Sequence, residues 1–164
     1  MGKKLNEARK RIRELEAALA EDPADADAAA ALWNTASRAD VPSRAAPTVI
    51  TAVEAAARRG DSGLPAQLWA DLLRTAPGAD IDLRTATRVA ELLMKEGLEG
   101  DVELTLLWLA GRVDSSTPDG LLARLARMAH HLTLPAPFVA LALEKKDLSP
   151  ELRRELQSLS GFSA

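Results

Sequence analysis

Two adjacent histidines, His130 and His131, are the only histidines in the chain and the first candidates for chemistry. Neighbouring helix residues point about 100° apart, so the pair cannot ordinarily chelate one ion. The chain has no cysteine and no third histidine, which leaves a zinc site without its ligand set. A structural or surface role is expected for both. Asp22, Asp25 and Asp27 form an acidic trio, yet the glycine bend and distal glutamate of a helix–loop–helix calcium site are missing. They read instead as acids at a helix start, answering its positive end. The remaining carboxylates are scattered over polar faces, where solvation keeps them ordinary. No nucleophile elbow, phosphate loop or dinucleotide fingerprint appears, and Gly60-Asp61-Ser62-Gly63 is a turn. The expectation is a protein that is not an enzyme and takes no cofactor and no metal.

Composition explains what could hold any such residues in place. The 164 residues are 47% hydrophobic but only 3% aromatic, with no tyrosine. The apolar set is mainly Ala and Leu, joined by Arg and Glu, all strong helix formers. Sheet formers are sparse, so the expected class is all-α. A net charge of −3 does not argue for nucleic acid or an anionic membrane surface, and the expectation is no nucleic-acid partner and no direct membrane insertion. The charge is uneven: residues 1–20 carry six basic and three acidic side chains. Absent cysteine suits a reducing cytoplasm. No apolar run reaches the roughly 18 residues of a membrane span, and the basic N-terminus lacks the apolar core of a secretory signal. Met1-Gly2-Lys3-Lys4 reads in part as an artificial start, with the native protein longer.

Periodicity and punctuation divide the chain into about nine helices. The first, over 3–20, places Leu5, Ala8, Ile12, Leu15 and Leu19 at heptad spacing. That stripe either packs on the next helix of its own chain or forms a homodimer through residues 3–19. In a parallel dimer Arg11 and Glu16 attract while Lys4 and Arg9 repel. Asp22-Pro23 ends this helix, and Asp25 caps the next, to about Arg38. Ser43 is the expected N-cap of a helix to about Arg59, with Pro47 in its first turn. Further helices are expected over 65–76, 83–96 (capped by Asp82), 101–113, 118–132 and 137–145. The stretch 101–113 is apolar nearly all round, as in a helix buried on several sides. Ser149, Pro150 and Glu151 open the last helix. The domain reading is a basic heptad helix over 1–21 and an αα-repeat domain of about four helix pairs over 22–164.

Trp33, Trp69, Trp108 and Val139 recur at intervals of 36, 39 and 31 residues, the period of a two-helix repeat. The elements Trp33-Asn34-Thr35-Ala36, Trp69-Ala70-Asp71-Leu72 and Trp108-Leu109-Ala110-Gly111 resemble the tetratricopeptide repeat. The resemblance covers most of the chain, although tyrosine is absent and only the third element has glycine near the family position. It implies an αα-hairpin solenoid whose core holds Trp33, Trp69, Trp108 and Phe138. It also implies a groove for a protein or peptide along the first helix of each pair. Residues two before, one after and five after each Trp would line it: Ala31, Asn34 and Arg38; Gln67, Ala70 and Arg74; Leu106, Leu109 and Val113. Asn34, Arg38, Gln67 and Arg74 then make a polar, positive stripe suited to an acidic peptide, with Leu106 and Leu109 an apolar patch beside it. The functional expectation is a helical-repeat scaffold for protein–protein contact. The alternatives are an assembly element built on the N-terminal heptads and a regulatory module of a larger parent.

Overall fold

A computed structural model describes residues 2–135 and 137–160. Those residues contain nine α-helices and no strand: α1 (Gly2–Glu21), α2 (Ala26–Arg38), α3 (Pro42–Arg58), α4 (Gly63–Thr75), α5 (Leu83–Lys95), α6 (Glu99–Ala110), α7 (Asp119–His131), α8 (Phe138–Leu143) and α9 (Pro150–Leu159). The chain folds as two compact units, Met1–Thr85 and Ala86–Ala164. The expected boundary after residue 21 therefore falls inside the first unit.

In the first unit α1 packs on α2 and α3, α2 on α3 and α4, and α3 on α4. The heptad stripe of α1 is largely consumed by this packing, with Ile12, Leu15 and Leu19 buried. Leu5, from the same stripe, stays 38% exposed. The interior is completed by Leu32, Trp33, Val49, Val53, Trp69 and Leu72. Many contacts are to alanine: Ala29 and Ala36 on α2 and Ala45 on α3 are fully buried. Small side chains let helix axes approach closely, so the near absence of aromatic bulk still gives a packed core.

In the second unit α6 and α8 pack on α7, and α9 packs on both α7 and α8. Its core includes Val89, Leu93, Leu122, Leu125, Phe138 and Leu156. Charged pairs tie its helices at the rim. Arg124 on α7 forks onto Glu91 of α5, Nε to Oε2 at 3.1 Å and Nη2 to Oε1. Arg127 on α7 forks onto Glu155 of α9, with Nη2 to Oε2 at 2.9 Å. Arg153 of α9 donates to the Leu143 carbonyl at 3.2 Å and the Lys145 carbonyl at 2.8 Å. It thereby supplies the short α8 with partners for carbonyls at its C-terminal end.

Helix ends follow local chemistry. Asp25 accepts from the Ala28 N–H and Ser149 from the Leu152 N–H, as capping residues do. Four helices stop in one way. Asp40, Gly60, Gly97 and Thr133 all take positive φ, just beyond α2, α3, α5 and α7. After each, the next N–H returns to a carbonyl five residues back: Val41 to Ala36, Asp61 to Ala56, Leu98 to Leu93 and Leu134 to Ala129. This is the left-handed C-terminal motif, where glycine carries no steric cost. One expected cap is corrected. Ser43 is not the N-cap of α3; that position is Val41, which makes no side-chain cap bond. Pro42 starts the helix because its fixed φ suits the first position and it has no N–H to satisfy. Pro47 consequently lies in the second turn, inside the helix.

Candidate functional site

The residues expected to form a groove divide among three environments. Asn34 of α2 and Gln67 of α4 come together: with Ala30, Trp33, Leu68 and Asp71 they line a cleft of about 190 Å³. Its floor is Trp33, 2% exposed. The indole has one polar atom, and its burial requires an acceptor; the Nε1–H donates to Asp71 Oδ2 at 2.7 Å. The carboxylate therefore fixes the ring, and with it the wall between the two amides. Each amide both donates and accepts, the complement of an extended peptide backbone.

Arg38 is elsewhere. It is exposed at the end of α2 and lines a second groove, of about 620 Å³, with Lys4, Leu5, Ala8 and Arg11 of α1. Arg74 is exposed in the last turn of α4 and lines neither hollow. The expected stripe is thus divided among three places: Asn34 and Gln67 in the cleft, Arg38 in the second groove and Arg74 outside both. Ala31 and Ala70, the small residues of the expected lining, are half-buried.

The apolar patch expected from the third element is not at the surface. Leu106 and Leu109 are 1% and 0% exposed, and they belong to the core of the second unit. Leu107 is the residue left outside, at 57% exposure. A helix apolar on nearly every face offers no polar side by which to set its rotation. The packing of Val102, Thr105, Leu106 and Leu109 inward settles it. Trp33, Trp69, Trp108 and Phe138 are all buried. Trp108, at the edge of its core, carries the Arg112 guanidinium 3.7 Å above its ring, a cation–π contact.

His130 and His131 end α7 and are exposed. His130 borders an apolar groove of about 720 Å³ between α7, α8 and the end of α9, together with Leu134, Phe138 and Leu159. Among the described residues no group of three or more His, Asp or Glu is placed to hold a metal ion. The acid trio is absorbed by local turns: Asp22 Oδ1 accepts from the Ala24 N–H at 3.1 Å, and Asp25 caps α2. The Ser116 hydroxyl and N–H hold Asp114 below the usual carboxylate range, and the Arg127 hydrogen bond does the same for Glu155. Both sit in loop or rim contacts rather than in a cleft.

Sequence reasoning does not single out four of the lining residues, Asp71, Lys4, Leu5 and Arg11. Asp71 is, in the sequence, one of many carboxylates on polar faces, although its place two residues after Trp69 sets it on the side of α4 that meets α2. In the sequence Leu5 belongs to a stripe that packs on the next helix or forms a dimer seam, and Lys4 and Arg11 are charges flanking that stripe. Their company with Arg38 depends on the antiparallel pairing of α1 with α2. No helix among the described residues is long and apolar enough to cross a membrane. The chain matches no protein-family model, no curated protein and no solved structure.

Proposed function

We propose that this chain is a non-catalytic helical scaffold, similar in plan to tetratricopeptide repeats, that holds a segment of another protein. The observation that carries the reading is the α2–α4 cleft. There Asn34 of α2 and Gln67 of α4 flank an indole locked by Asp71. A pair of amides on a rigid wall recognises backbone rather than one side chain, which suits a peptide and offers no means of bond cleavage. The absence of cysteine fits work in a reducing compartment such as the cytoplasm.

Peptide display against the whole chain tests this, with each selected peptide re-measured by fluorescence anisotropy. The double variant Asn34→Ala, Gln67→Ala is expected to weaken binding by roughly tenfold or more, with the helical circular dichroism unchanged. Undiminished affinity removes the cleft from the reading. Failure to select any peptide removes the scaffold function itself.

A further inference from the structure

The groove between the start of α1 and the end of α2 has a different character from the amide cleft. Its floor is apolar: Leu5 and Ala8 from α1 and Ala39 after α2. Leu5 is one of three large hydrophobic side chains exposed among the described residues. Around it stand Lys4, Arg11 and Arg38, against a single acid, Glu7. Arg11 has a loose ion pair with Glu14 at 3.6 Å. The side chains of Lys4 and Arg38 make no ion pair or hydrogen bond among the described residues, and Arg38 also sits where it answers the carbonyl end of α2. The Thr35 hydroxyl is spent on the Ala31 carbonyl at 2.7 Å, so the cations are the groove's available donors.

We infer that this α1–α2 groove docks an acidic protein segment, with a leucine-like side chain on Leu5 and Ala8 and carboxylates on Lys4, Arg11 and Arg38. The charge excess sets the sign of the partner, and the apolar floor sets its class. A phosphate backbone would leave Leu5 and Ala8 uncovered, and no aromatic ring lines the groove to stack a base. Glu7 in the same wall opposes a continuous anionic surface such as a phosphatidylserine bilayer. A peptide can set a neutral or basic residue opposite Glu7 and place its acids at the three cations. Guanidinium groups at two of those positions suit forked pairing with carboxylates. The inference rests on the scaffold reading above but uses a separate surface.

The test uses the full chain and a fluorescent twelve-residue peptide of alternating Asp or Glu residues around one leucine. Its leucine-to-serine version, a lysine-based counterpart, a single-stranded oligonucleotide and phosphatidylserine vesicles serve as comparisons. The acidic leucine peptide is expected to bind, more weakly as salt shortens the screening length below about 8 Å. Lys4→Glu with Arg11→Glu, and separately Leu5→Ser, are each expected to weaken it at least about tenfold. Arg74→Glu is expected to leave it unchanged. Thermal melts of each variant confirm that the fold survives. No binding of the acidic peptide, equal binding of its serine version, or indifference to the Lys4 and Arg11 reversals overturns the inference. Preferential binding of the oligonucleotide or the vesicles does so too. If display-selected peptides still bind through Asn34 and Gln67 in that event, the scaffold reading stands and only this groove falls.

Discussion

Trp33 and Asp71, thirty-eight positions apart in the chain, meet through a 2.7 Å hydrogen bond from the indole Nε1–H to Oδ2. One end of the bond is buried in the core of the first unit and the other is at its surface. The contact joins α2 to α4 at the wall of the amide cleft. Asp71→Ala strands the indole N–H, and a hydrogen bond to a charged acceptor contributes about 1.5–3 kcal/mol. For a chain of this size, that lowers the melting temperature by roughly 3–10 °C. A double-mutant cycle with Trp33→Phe should return a coupling of about 1 kcal/mol or more. Additive losses would mean the bond does not form in solution.

Neighbouring leucines on α6 should behave in opposite ways. Leu106 is buried and Leu107 is 57% exposed. Leu106→Ala opens a cavity and is expected to cost about 2–5 kcal/mol, whereas Leu107→Ser should change stability by no more than about 0.5 kcal/mol. Urea denaturation reads both. Equal losses would place α6 in another rotation and restore Leu106 to the surface.

Thr133 ends α7 with φ of 56°, a conformation that crowds a side chain branched at Cβ. Thr133→Gly removes that crowding while adding freedom to the unfolded chain, an opposing effect of about 0.4–1 kcal/mol. The expected outcome is a net gain of about 0.5–1 kcal/mol, given that the left-handed conformation costs about 1–2 kcal/mol. Asp40→Gly should gain less, because aspartate tolerates this region. Calorimetry that finds Thr133→Gly less stable than the parent would show that α7 stops by some other means.

Acid should loosen the contact between α7 and α9. The Arg127 hydrogen bond holds the Glu155 carboxyl below its ordinary range. A lowered folded pKa contributes stability that is complete above the unfolded value, about 4.3. That stability disappears as pH falls through the lower, folded value. Both side chains are substantially solvent-exposed, so the contribution stays within about 1 kcal/mol. Arg127→Ala should return the Glu155 titration, followed by carboxyl NMR, to the usual glutamate range and flatten the acid limb of the stability curve below about pH 4.3. An unchanged Glu155 titration would show the fork is open in solution.

Residue types and local rules were enough for the helices themselves. Alanine and leucine at helical spacing, Asp25 and Ser149 as caps, and Gly60 and Gly97 as stops carry their instruction within a turn or two. Expected and observed spans accordingly differ mostly by one to three residues at the ends. The exceptions are also local in cause. Asp40 and Thr133 adopt a glycine conformation that their side chains do not announce, and Pro42 rather than Ser43 sets the start of α3. The burial of Trp33, Trp69, Trp108 and Phe138 was equally legible, since few alternatives exist for such bulk in a chain so poor in aromatics.

Only tertiary structure decided which exposed residues keep company. Helical spacing states that Asn34, Arg38, Gln67 and Arg74 lie away from the tryptophans. It cannot state that Asn34 faces Gln67 while Arg38 faces Lys4 and Arg11, because those relations depend on where α1 and α4 pack against α2. For α6 the rotation was undetermined from the start, with apolar residues on almost every side. The choice between Leu106 and Leu107 fell to the shape of the neighbouring helices. A helix is specified by interactions a few residues apart, whereas a surface is specified by packing between segments far apart in sequence.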